Sequence, residues 1–115
     1  MEFTAKHRFA RISARKVRPV ADLVRGKFVD DALDILRYQP QRGARLLEKV
    51  IRSALASAQD PEQNPGRVAD VGNLLLSEVR IDGGPMIKRF MPRARGIACM
   101  IKRRMSHISV KVSEI

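Results

Sequence analysis

This sequence has no tryptophan and a single cysteine, Cys99. One cysteine excludes an internal disulfide and any thiolate metal cluster built within the chain. The aromatic residues are four phenylalanines and one tyrosine, too few for a sheet platform on which bases stack. No apolar run approaches the length of a membrane span. The start, Met1-Glu2-Phe3-Thr4-Ala5-Lys6, lacks the apolar stretch of a secretory leader. A soluble, intracellular protein with no membrane partner is therefore expected. Glycine-rich phosphate loops, nucleophile elbows and zinc-ligand spacings are also missing, so neither a cofactor nor a metal is expected. The most informative absence is of acid: no aspartate or glutamate occurs between positions 83 and 113.

That acid-free stretch holds Lys88, Arg89, Arg93, Arg95, Lys102, Arg103, Arg104 and Lys111. It supplies most of a net charge of +11, and all 12 acidic residues lie outside it. A positive segment on a modest body is suited to a polyanion, because neutralising phosphates releases counterions and gives affinity without a catalytic pocket. A second acid-free cluster comprises Lys6, Arg8, Arg11, Arg15, Lys16 and Arg18. Arginine can grip phosphate in two-pronged fashion and stack on bases.

At 115 residues the chain is expected to form one domain. Residues 3–12 read as a short strand or extended arm. Ser13 suits the N-cap of a helix over 14–25, in which Val17, Val20, Ala21 and Val24 share a face. Pro19 costs that helix a backbone bond unless it lies in the first turn. A shorter helix is expected over 31–37, with Asp30 and Asp31 at its positive end and Arg37 at its negative end. Leu33 and Leu36, with Ala32 and Ile35, supply its buried side.

The broadest apolar face belongs to 44–58, where Leu47, Ile51, Leu55 and Ala58 adjoin Leu46, Val50 and Ala54. Glu48 and Arg52 pair on the opposite side. The stretch 59–67, with two prolines and a glycine, reads as a loop. Over 74–82 a strand places Leu75, Ser77, Val79 and Ile81 on one face. Beyond it, Ile97, Cys99 and Ile101 alternate in one phase and Ile108, Val110 and Val112 in the other. That switch predicts a bulge or strong twist between Lys102 and His107.

The order strand, three helices, two long strands gives an α+β fold. Three helices pack on a small three-stranded antiparallel sheet, and the two long strands extend as a β-hairpin. The body covers about 1–82 and 104–115, and the arm about 83–103. Arms of about ten residues at about 3.4 Å each reach over 30 Å. A hairpin so basic repels itself unless phosphates neutralise it.

The remaining candidates have plainer readings. Neither His7 nor His107 has a ligand partner at metal spacing; polar contact or RNA stacking suits both better. Cys99 reads as a small buried side chain on the apolar phase of a strand. Asp30, Asp31 and Asp34 imitate an acid–base set, but a solvated helix start explains them. Two alternatives to RNA binding stay open on these residues. One is a DNA-bending protein with Pro92 as a wedge in the minor groove. The other, an enzyme, needs a convergent pocket that the sequence does not offer.

The run Lys88-Arg89-Phe90-Met91-Pro92-Arg93-Ala94-Arg95-Gly96, followed by Arg103-Arg104-Met105-Ser106-His107-Ile108-Ser109-Val110, resembles the C-terminal hallmark of the ribosomal protein L twenty-two family of the bacterial large subunit. Arg11-Ile12-Ser13-Ala14-Arg15-Lys16-Val17-Arg18, then Asp22-Leu23-Val24-Arg25-Gly26-Lys27 and Ile35-Leu36-Arg37-Tyr38, are similar to that family as well. The resemblance spans nearly the whole chain in order. It implies a structural, non-enzymatic rRNA-binding protein with a small surface body and a hairpin threaded through rRNA to line the nascent-peptide exit tunnel. It also implies a role in subunit assembly, with neighbouring ribosomal proteins and the nascent peptide as partners and no homo-oligomer.

Carried over position by position, the expected RNA-binding residues are Lys6, Arg8, Arg11, Arg15, Lys16, Arg18, Arg25, Lys27, Lys88, Arg89, Arg93, Arg95, Lys102, Arg103, Arg104 and His107. The hairpin tip is expected from about Ile87 to Arg95, with Ile87, Lys88, Arg89, Phe90, Met91, Pro92 and Arg93 facing the tunnel. Two positions depart from the family pattern: Ile97 replaces a usually polar or basic residue after Gly96, and Pro19 stands where an aliphatic residue is common.

Overall fold

A computed structural model describes residues 2–60 and 71–114. Strand β1 (Glu2–Ala10) leads into helices α1 (Ala14–Val24), α2 (Val29–Arg37) and α3 (Arg42–Gln59). After a 3-10 turn at Val71–Asn73 come β2 (Leu74–Pro92), a second 3-10 turn at Ala94–Gly96 and β3 (Ala98–Glu114). The loop expected over 59–67 begins only after Gln59, and from 61 onward it lies outside the described residues. The sheet order is β1-β3-β2, antiparallel throughout. The α+β class and the long hairpin are as the sequence implies.

The helices form where the apolar spacing puts them. Val17, Val20, Ala21 and Val24 are buried on α1. Pro19 lies beyond the first turn on the exposed side, so the helix runs through it with one backbone bond fewer. Helix α2 starts two residues earlier than expected and buries Val29, Ala32 and Leu36, while Leu33 and Ile35 are half-buried. Helix α3 buries Ala44, Leu47, Val50, Ile51, Ala54 and Ala58 against β1 and β3. Fully burying one such leucine or isoleucine stabilises the body by about 1.5–3 kcal/mol. Arg52 bonds Glu48 at 2.6 Å, the expected pair. Glu48 also binds Arg45, whose guanidinium donates to the carbonyls of Leu36, Arg37 and Gln39 at the end of α2. The Leu36 carbonyl also accepts the Gln39 N–H at 3.2 Å, and Arg45 adds a donor to the carbonyls at and just beyond this helix end.

Two registers differ from simple alternation. Ser77 is an extra residue in β2, because Leu76 pairs with Val112 and Glu78 with Lys111. The slip turns the strand over, so Leu74 and Leu76 face the core before it and Val79 and Ile81 after it. Leu75 and Ser77 therefore do not share the buried face expected for them. The second irregularity matches the expected interval on β3 but belongs to β2: Gly83 pairs with Ser106 and Met86 with Arg104, leaving Gly84 and Pro85 opposite Met105. Strand β1 slips at nearly the same level, between His7 and Ala10. Both bulges sit where the sheet leaves the helices, with Ser106 as the last fully buried residue of β3. Beyond them the hairpin continues as two strands that no other described element covers. The radius of gyration, 17.3 Å, exceeds the roughly 13 Å of a compact chain this long, and the long axis is 66 Å.

Candidate nucleic-acid interface

Residues paired directly across an antiparallel ladder project to the same side. One side of the arm therefore carries Met86 with Arg104, Lys88 with Lys102, Phe90 with Met100 and Pro92 with Ala98. The other carries Ile87 with Arg103, Arg89 with Ile101 and Met91 with Cys99. The lower stem is cationic on both sides, and the upper stem is apolar. Cys99 is exposed, not buried as its alternation suggested, because no second layer covers this part of the sheet. Phe90 and Ile97 are also bare, at 74% and 64% exposure.

The chain reverses at Ala94–Gly96, closed by Arg93 N–H to the Ile97 carbonyl at 2.8 Å. Arg95 and Gly96 adopt positive φ, 58° and 72°. The turn thus lies at the far end of the expected tip. Ile87, Lys88, Arg89, Phe90, Met91 and Pro92 form the strand leading to it, and Arg93 opens it. Glycine at 96 tolerates this conformation without a side-chain clash.

The two acid-free clusters, far apart in sequence, meet in space. A groove of about 1240 Å³ separates the start of α1 from the lower stem of the arm. Arg11, Arg15, Lys16 and Arg18 border it from the helix side, and Arg89, Lys102, Arg103 and Arg104 from the arm, Arg89 and Arg103 projecting from one side of the ladder and Lys102 and Arg104 from the other. Among the described residues no acidic side chain lines it. Arg42, at the start of α3, joins the helix side and was missed from sequence. It follows a proline-containing loop and lies outside both acid-free clusters, so no local signal marks it.

Several expected RNA contacts are engaged within the protein. Strand β2 is an edge strand, whose outward groups need partners. Arg18 Nε and Nη2 donate to the Ile81 carbonyl at 3.4 and 3.3 Å. Arg25 Nε and Nη2 donate to the Val79 carbonyl at 3.2 and 2.8 Å, and Nη1 pairs with Asp22. Gly26 N–H donates to the Leu76 carbonyl, and Leu76 N–H to that of Lys27. Helix α1 and the residues after it so close the edge. The Lys27 side chain borders a shallow depression with Asp31 and Asp34, away from the groove.

His107 Nδ1 accepts the Phe9 N–H at 3.0 Å, which places the proton of a neutral ring on Nε2. The Arg8 guanidinium lies 5.3 Å from the centre of the Phe9 ring. Lys6 is exposed on the uncovered face of the sheet. On that face Lys111 is held by Glu78 at 3.5 Å and Glu2 at 3.8 Å, so its charge belongs to the body. Arg93 and Arg95 stand apart at the turn. Among the described residues no three His, Cys, Asp or Glu side chains converge where they could hold a metal ion, and no helix is long and apolar enough to cross a membrane.

The ribosomal protein L22p/L17e family matches residues 5–113. The chain belongs to that family. It is also 63% identical over 114 residues to the large ribosomal subunit protein uL22 of Rhodopirellula baltica, covering 99% of this chain and 96% of that protein. The L22p/L17e match takes in the groove, the arm and the bulged junction between them. Membership fits a surface organised around cationic shape, with its concave side lined by arginine and lysine.

Proposed function

We propose that this chain is a structural protein of the large ribosomal subunit, bound to rRNA in the cytoplasm. Its body packs among neighbouring ribosomal proteins, and its hairpin passes through rRNA to line the nascent-peptide exit tunnel. It aids subunit assembly, acts as one copy and performs no catalysis. The observation that carries this reading is the projecting, acid-free arm in a chain of the L22p/L17e family.

The contacts are electrostatic and shape-based. Lys88, Arg89, Lys102, Arg103 and Arg104 grip phosphates along the stem, and Arg11, Arg15 and Lys16 hold the body. Phosphate contacts position such a protein rather than read sequence. Arg93 and Arg95 carry the charge at the turn, with Phe90, Met91 and Pro92 beneath them towards the tunnel wall. The outward Nε2–H of His107 and the side chains of Lys6, Arg8 and Lys27 add peripheral donors. RNA packing holds the hairpin straight where the protein offers no covering layer.

The test is incorporation. Reversing Lys88, Arg89, Arg93 and Arg95 to glutamate leaves the body folded and keeps the chain out of ribosomes. Sucrose-gradient sedimentation at rising salt reads the outcome. Wild-type co-migration of the variant with the large subunit removes the arm from the mechanism. Migration of the unaltered chain with the nucleoid favours the DNA-bending alternative.

A further inference from the structure

We infer that the groove between α1 and the lower stem holds one RNA strand in common, gripped by both walls at once, and that Arg42 is one of its phosphate ligands. The inference rests on the rRNA-binding reading and goes further: two basic clusters become one concave site with a single occupant.

Three observations support it. The groove has cations from the helix side and from the arm, and among the described residues no acid to offset them. Opposed cationic walls repel, so an anion between them relieves both, whereas a flat contact would neutralise one. The helix ends add a second reason. Helices α1 and α3 have no acidic residue in the first turn. Instead Arg15, Lys16 and Arg42 put positive charge at positive helix ends, an arrangement that costs each helix stability without an anion nearby. Helix α2, outside the groove, has Asp30 and Asp31 in its first turn. Lastly, the groove also contains Met86, Ile87 and Met105, apolar surface on which sugars and bases can rest while phosphates meet the walls. Arg18 does not count among the ligands, since its guanidinium is spent on Ile81.

The occupant is a phosphodiester strand and not an acidic peptide, because charge is spread along both walls rather than focused at one pocket. The test uses the full chain and deproteinised large-subunit rRNA. Arg42→Gln is expected to weaken binding several-fold and to lower the salt-dependence slope by about 1, while the free chain melts no lower than the parent and slightly higher if the charge at the helix start costs stability. Photo-cross-linkers placed singly at Ala14 and Ile87 are expected to reach the same short stretch of rRNA, and in intact subunits to reach RNA rather than protein.

Unaltered affinity for Arg42→Gln, cross-links in two unrelated rRNA segments, or capture of a protein chain at both positions each overturns the shared-strand inference. In the first two cases the arm variants still lose rRNA binding if the wider reading holds. If rRNA binding survives loss of the arm charges as well, the wider reading falls too.

Discussion

The Phe9 amide donates to His107 Nδ1 at 3.0 Å, and the two rings meet edge to face at 5.0 Å and 88°. Phe9 has a φ of 60°, which is uncommon for an aromatic residue, at the slip between β1 and β3. The bond closes the ladder where regular pairing stops. His107 thus braces the junction of body and arm from the protein side.

Replacing His107 with alanine removes that acceptor. The amide is reachable by water, so the cost is that of a net hydrogen bond, about 1 kcal/mol. For a domain of this size that lowers the melting temperature by about 4 °C or more. His107→Asn, whose side-chain oxygen can stand near the Nδ1 position, is expected to recover much of it. An alanine variant that melts like the parent would mean the ring serves only RNA.

Arg25 offers a sharper division between fold and binding. Its two bonds to the Val79 carbonyl close the sheet edge, while the side chain stays 46% exposed. Arg25→Ala is expected to destabilise the body by about 1 kcal/mol, towards the low end for charged hydrogen bonds because water screens the site. The salt slope of rRNA binding stays the same. A slope reduced by about 1, with stability intact, would return Arg25 to the phosphate contacts.

These two side chains show where sequence reading stops. The stripes of α3 and the acid-free arm were legible because helical spacing and charge are local properties. The bonds of Arg18 and Arg25 to the body were not legible, because their carbonyl partners arise only when α1 lies along β2. Leu75 seemed to share a face with Val79 because nothing local marks Ser77 as an extra residue. Cys99 alternated like a core residue, but burial depends on a second layer that the arm lacks. The groove joins residues some seventy positions apart, so its clusters were visible and their meeting was not.

Lys88 and Lys102 face one another across the arm. Like charges in such a pair destabilise a ladder, and opposite charges support it, by roughly 0.2–1 kcal/mol. Lys88→Glu is therefore expected to order the free hairpin while weakening its hold on rRNA. Amide exchange over 86–92 and 98–104 should slow by up to about fivefold, the equivalent of 1 kcal/mol. Faster exchange, or stronger RNA binding, would show that the two lysines do not oppose each other in solution.

The last prediction concerns the hinge between body and arm. A Cβ on Gly84 would meet the Met105 carbonyl carbon and oxygen at 3.1 Å and the Ser106 nitrogen at 3.3 Å. All three are backbone atoms of the central strand, and they cannot swing aside as a side chain can. A Cβ on Gly83 meets nothing within 4 Å. Gly84→Ala should therefore cost about 1–3 kcal/mol, as overpacking does, whereas Gly83→Ala should stay within about 0.5 kcal/mol. Urea unfolding separates them: the midpoint falls for Gly84→Ala with the slope unchanged. Because Gly84 also lines the groove, the displaced strand should weaken rRNA binding in the same variant. Equal stability of the two variants would remove the close approach of Gly84 to Met105 as the feature that fixes the arm to the body.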